Sequence, residues 1–176
     1  MVNLKWKTVL LSSLITALVL FGSWFGYQHL NTEKPIQAWF EDKEGIELVE
    51  LNATRKGVEI TVRFHNPDQF YPLYAKLDGF LQELDLPYVL TISAEQGEFN
   101  PFWLKHSAAF AESIYHHRYR DIQHYIEKLK ANDEVRDGYV IVAEKGVFIY
   151  LDPSTGREVY LHFPAPEQTG GMLDDD

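Results

Sequence analysis

Twenty consecutive residues, Thr8 to Tyr27, carry no charge. A helix of that length, at about 1.5 Å rise per residue, spans about 30 Å, the thickness of bilayer hydrocarbon. Trp6 stands at one end of the run and Trp24 and Tyr27 at the other, where rings with a polar edge favour the membrane interface. Lys5 and Lys7 precede the run, whereas the first charges beyond it, Glu33 and Lys34, cancel. Residues 8–27 are therefore expected to form a single transmembrane helix, with residues 1–7 cytoplasmic and the rest of the chain extracytoplasmic. The run is long for the apolar part of a cleaved signal peptide. Phe21-Gly22-Ser23-Trp24-Phe25 offers no small-x-small cleavage site either, so the reading is an uncleaved signal-anchor. Gly22 and Gly26 form a GxxxG pair, a spacing that brings helix backbones close and allows a homodimer, although small residues are also simply frequent in membrane helices.

Beyond the anchor the balance is 14 basic against 26 acidic residues. A domain so acidic repels phosphate backbones, which argues against nucleic acid as a partner. The chain has no cysteine, which removes disulfides, thiolate metal sites, cysteine nucleophiles and a lipoprotein cysteine. An exported domain without disulfides must be held by packing alone, a condition that fits a bacterial cell envelope.

The periodicity divides the remainder into a stalk at 28–44, an α+β domain at 45–163 and a disordered acidic tail at 164–176. Val58, Ile60, Val62 and Phe64 alternate with Glu59, Thr61, Arg63 and His65, the pattern of a half-buried strand, and 46–53 supplies its hairpin partner. Asn66-Pro67 and Asn100-Pro101 both read as a helix cap followed by proline in the first turn. The first helix ends before Pro87. The second is expected to run unbroken to about Asn132, with Leu104, Ala108, Ala111, Tyr115, Ile122, Ile126 and Leu129 along one stripe. The run 88–93 is an inner strand, and 139–163 a three-strand meander turning at Lys145-Gly146 and at Asp152–Gly156. The predicted order is β-β-α-β-α-β-β-β, a two-layer α/β sandwich with a mostly antiparallel sheet.

Few residue groups suggest chemistry. His117, Asp121 and His124 fall at i, i+4 and i+7 of the expected long helix and could approach a metal together. They lie on its polar face beside Arg120 and Lys128, however, so an ordinary solvated face is the preferred account and no metal is assigned. Neither GxSxG nor a phosphate-cradling glycine motif occurs. No catalytic residue or cofactor is assigned. The loop Glu98–Trp103 concentrates Phe99, Phe102 and Trp103 around a helix start. They form either an anchor for a partner protein or a staple in which Phe99 folds onto the first turn and Trp103 enters the core.

These readings point to a non-enzymatic, membrane-anchored interaction or scaffold module of a bacterial cell-envelope complex, with Phe99, Phe102 and Trp103 for partner contact. Gly22 and Gly26 are the candidates for anchor packing. The alternative is an extracytoplasmic small-ligand sensor with a pocket lined by tyrosines at 88, 115, 119, 125 and 139. A metal-assisted hydrolase ranks last.

Overall fold

The computed structural model describes residues 6–28, 32–54 and 57–165. Helix α1 (Trp6–Gln28) runs for 23 residues. Leu10, Leu11, Leu14, Ile15, Leu18, Val19 and Leu20 are all more than half exposed on it. Among the described residues no helix is long and apolar enough to cross a membrane; residues 7, 8 and 21–28 of α1 contribute no described side chains. The packing of Gly22 and Gly26 lies outside the described residues, as does the acidic tail from residue 166 on.

Part of the expected stalk belongs to the folded body. Helix α2 (Lys34–Glu41) starts with a proline in its first turn. It buries Ile36 completely and stacks Trp39 on Phe80 at 6.0 Å. The isolated apolar residues of that stretch are thus the inner face of a two-turn helix.

Strands β1 (Ile46–Thr54) and β2 (Gly57–Phe64) pair antiparallel as expected, and β3 (Tyr88–Ile92) joins β2 in parallel. The connection is α3 (Phe70–Glu83), preceded by a 3-10 turn at Pro67–Gln69 whose Asn66 cap accepts a hydrogen bond from Asp68 N–H at 3.0 Å. Pro72 lies in the first turn of α3, where its missing N–H breaks no helical bond. The alternation of β2 is realised: Val58, Ile60, Val62 and Phe64 are buried, and the outer face of this first sheet meets solvent.

The expected long helix is two helices, α4 (Pro101–Tyr115) and α5 (Tyr119–Ala131). The break follows from His117, which adopts a left-handed backbone at φ +53°. Arg118 N–H then donates to Ser113 O at 2.8 Å and His117 N–H to Ile114 O at 3.0 Å, the paired bonds that close a helix C-terminus. Turning there lets α5 lie on the second sheet with Ile122, Ile126 and Leu129 buried beside Trp103 and Phe110 of α4.

That second sheet is a meander of β4 (Val135–Ala143), β5 (Gly146–Pro153) and β6 (Val159–Pro164). The predicted single sheet is therefore two three-stranded sheets in an α+β fold. The second is covered on both faces. Phe148, Tyr150 and Tyr160 point to α3 and the first sheet, whereas Val147, Ile149, Leu151, Val159 and Leu161 point to α4 and α5. Phe70 bridges the first core, meeting Phe64 at 4.8 Å, Tyr160 at 5.1 Å and Phe148 at 5.5 Å edge to face, the geometry aromatic quadrupoles favour. The sheets meet along β3 and β6.

Candidate docking surface

Where β3 ends, the chain enters the loop Ser93–Asn100, and two buried amides fix its course. Gln96 is 8 % exposed. Its side-chain oxygen accepts from Phe64 N–H at 2.9 Å and its side-chain nitrogen donates to Phe64 O at 2.7 Å. A carboxamide carries the same donor and acceptor as a peptide unit, so Gln96 continues the β2 ladder by one rung after β3 has stopped. The backbone oxygen of Gln96 accepts from Tyr160 N–H at 2.7 Å, tying the first sheet to β6. Asn100, 1 % exposed, closes the loop: its oxygen caps α4 through Phe102 N–H at 2.9 Å, and its nitrogen donates to Glu95 O and Arg157 O at 3.0 and 3.2 Å.

Held this way, the loop presents Phe99 outward at 65 % exposure. The staple account fails for this ring but holds for Trp103, which is buried and packs on Phe110 and Phe163 at 5.1 and 5.9 Å. Phe102 is half-buried and rests on the His106 ring at 4.5 Å. Of the three aromatics expected to act together, Phe99 and Phe102 share a surface depression of 330 Å³ with Pro101 and Arg157, while Trp103 belongs to the core on which Phe102 packs. On its other side Phe99 borders a groove of 480 Å³ that follows the seam between the sheets, with Leu90, Ile92, Tyr160 and His162 in its walls and Tyr74 in its lining.

The floor of the seam is polar but fully engaged. Asp78 on α3 accepts from Tyr88 Oη at 2.5 Å and from Gln82 Nε2 at 3.0 Å, and pairs with Lys145 Nζ at 2.5 Å. His162 stacks on Phe148 at 4.5 Å and lies 4.4 Å from the Tyr74 ring, with Nε2 at 2.9 Å from Lys145 O. Burial holds the His162 imidazole below its ordinary value, against smaller opposing effects of the Lys145 carbonyl and Asp78. Burial likewise raises the Tyr74 phenol, with Asp78 adding to it. At the far side of the loop, Glu158 accepts from Tyr150 and Tyr160 at 3.1 and 3.0 Å, and Arg157 pairs with Glu95. Each of these groups has a structural partner, and burial favours the neutral forms of Tyr74 and His162.

No family model, curated protein or solved structure matches this chain.

The remaining sequence candidates lie elsewhere. His117 sits at the helix break with Nδ1 at 2.9 Å from Tyr119 Oη, Asp121 pairs with Arg118 at 3.5 Å, and His124 with Glu127 at 3.5 Å. The break removes the i, i+4, i+7 relation on which a shared metal rested. Among the described residues no group of three His, Asp or Glu side chains is placed to hold one. The tyrosines expected to line one pocket are divided: Tyr88 and Tyr139 belong to the first core, Tyr119 and Tyr125 to the second, and Tyr115 is 80 % exposed. Sequence reasoning missed Gln96, which reads as one more polar loop residue. Asn100 was legible from the proline that follows it.

Proposed function

We propose that this protein is a membrane-anchored, extracytoplasmic interaction module of a bacterial cell-envelope complex, non-enzymatic, which binds a partner protein through the surface around Phe99. The observation that carries the reading is a large aromatic ring left in solvent on a loop that two buried amides hold rigid. Ordering a loop costs roughly 1–2 kcal/mol per residue in backbone entropy, and exposing a phenylalanine forfeits about 1.5–3 kcal/mol of burial. A preorganised aromatic anchor beside grooves on both flanks is the arrangement expected of an interface hot spot, because the partner need not repeat the ordering cost.

The anchor part of the reading rests on the uncharged run Thr8–Tyr27, on the lysines before it, and on α1 being helical from Trp6 to Gln28. A non-enzymatic role is supported by the engagement of the buried polar groups around the seam in structural hydrogen bonds. Photo-crosslinking from Thr155, at the rim of the Phe99 depression, in intact cells tests both parts. The expected result is one dominant crosslinked partner that Phe99→Ala removes without altering the melting temperature. Undiminished crosslinking in that variant would overturn the interface, and a C-terminal reporter active only in the cytoplasm would overturn the topology.

A further inference from the structure

The edges that face each other across the seam are not equivalent. Ser93 N–H donates to Val62 O at 2.7 Å and Pro87 O accepts from Val58 N–H at 2.9 Å. Odd-numbered residues of β3 therefore turn their backbone groups to β2, and Tyr88, Leu90 and Ile92 turn theirs to the seam. On β6 the bond from Tyr160 N–H to Gln96 O fixes the parity in the same way, so Tyr160 and His162 face the seam. The β6 edge is closed at both ends, by Gln96 on Tyr160 and by Pro164, which has no N–H. Among the described residues the bond between Tyr160 and Gln96 is the one backbone bond joining the loop to β6, and none reaches Leu90 or Ile92 from the far side.

An edge with unused donors and acceptors is a template for another strand. Its surroundings specify the side chains that strand would carry. On the inner side lie Tyr74, Leu90 and Ile92. On the outer side lie Thr61 and Thr91, level with Glu50 across the sheet, then Glu98 and the exposed rings and methyls of Phe99 and Val89. Glu50 and Glu98 have no ion-pair partner among the described residues, and no lysine or arginine lines the groove.

We propose that the edge of β3 receives an extended peptide as an added strand, hydrogen-bonded to Leu90 and Ile92, with apolar residues inward and basic residues outward in strict alternation. The period of two follows from the pleat, and the outward positive charge from Glu50, Glu98 and the acidic body of the domain. This names the partner's binding segment and rests on the reading of the Phe99 surface as an interface.

The test uses the full chain in detergent micelles and two acetylated ten-residue peptides: alternating Lys and Val, and the same sequence N-methylated at alternate residues. The Lys–Val peptide is expected to bind and to slow hydrogen exchange at the Leu90 and Ile92 amides at least tenfold. The N-methylated peptide keeps its charge but loses its donors, and is expected to give neither effect. Glu50→Lys together with Glu98→Lys is expected to weaken binding of the Lys–Val peptide at least tenfold. Equal binding of the N-methylated peptide would reduce the effect to ion exchange and overturn strand addition, as would binding without protection at β3 or no binding at all. Crosslinking lost in Phe99→Ala alongside any of those results would leave the interface standing and remove only the strand.

Discussion

Strands β2 and β5 are each the middle strand of a three-stranded sheet, yet they are built on different terms. In β2 every second residue is buried and the rest meet water, so the strand keeps Glu59, Thr61 and Arg63. In β5 nearly every residue is buried, because α3 with the first sheet covers one face and α4 with α5 the other. Val147-Phe148-Ile149-Tyr150-Leu151 has no polar face to spare. The second sheet thus holds the more completely buried central strand, while the first keeps an open face and an open edge. The strand edge proposed for recognition and the most completely buried strand belong to different sheets.

The contrast can be broken most directly in β5. Phe148→Ala, at a ring with no exposure and aromatic neighbours on every side, is expected to cost about 3–5 kcal/mol of unfolding free energy in denaturant titration. A loss below about 1 kcal/mol would show that the doubly covered sheet is not the centre of stability. At the joint between the sheets, Gln96→Ala strands the backbone N–H and C=O of buried Phe64. The expected loss is about 2–4 kcal/mol, with faster hydrogen exchange at Phe64 and Tyr160 as the local signature.

Acid sharpens the comparison from the other direction. Burial holds the imidazoles of His162 and His106 below their ordinary value of 6.5. The unfolded chain therefore binds protons more readily, and stability falls as pH drops through 6.5 toward the folded values. His162→Phe, in the ring stack at the seam, is expected to flatten that slope in thermal melts between pH 7 and 5; an unchanged slope would place the acid sensitivity elsewhere. The smallest effect belongs to the open sheet. Thr61→Val on the outer face of β2 and Phe99→Ala on the loop are each expected to move stability by no more than about 0.5 kcal/mol. A larger loss for Phe99→Ala would mean that the ring supports the fold.

Local signals in the sequence located most of each strand and the starts of the helices that follow Asn66 and Asn100, but not those of α2 and α5. The period-two pattern of β2 and the Asn-Pro pairs at 66–67 and 100–101 each reflect a requirement met within a few residues, and the structure fulfils both. Helix ends were less legible. Those after α3, α4 and α5 carry Asp85, His117 and Asp133 at left-handed backbone positions where glycine is the usual mark, so the break at 116–118 left no trace in composition. The division into two sheets depends on contacts between distant stretches, and β5 reads from its sequence as any apolar strand. At the candidate surface Phe99 stood out by residue type. Gln96 did not, since nothing in a glutamine forecasts that its amide will replace a missing rung.

Each sheet is assembled from one unbroken stretch of chain, residues 46–92 and 135–164. Every ladder therefore closes over a short contour, and the demanding search, for partners far apart along the polymer, is confined to the joint between them. Short contours close first because their loops cost less entropy. The contact of Gln96 with Phe64 and Tyr160 is accordingly expected after the folding barrier, and a φ-value for Gln96→Ala near one rather than near zero would reverse that order.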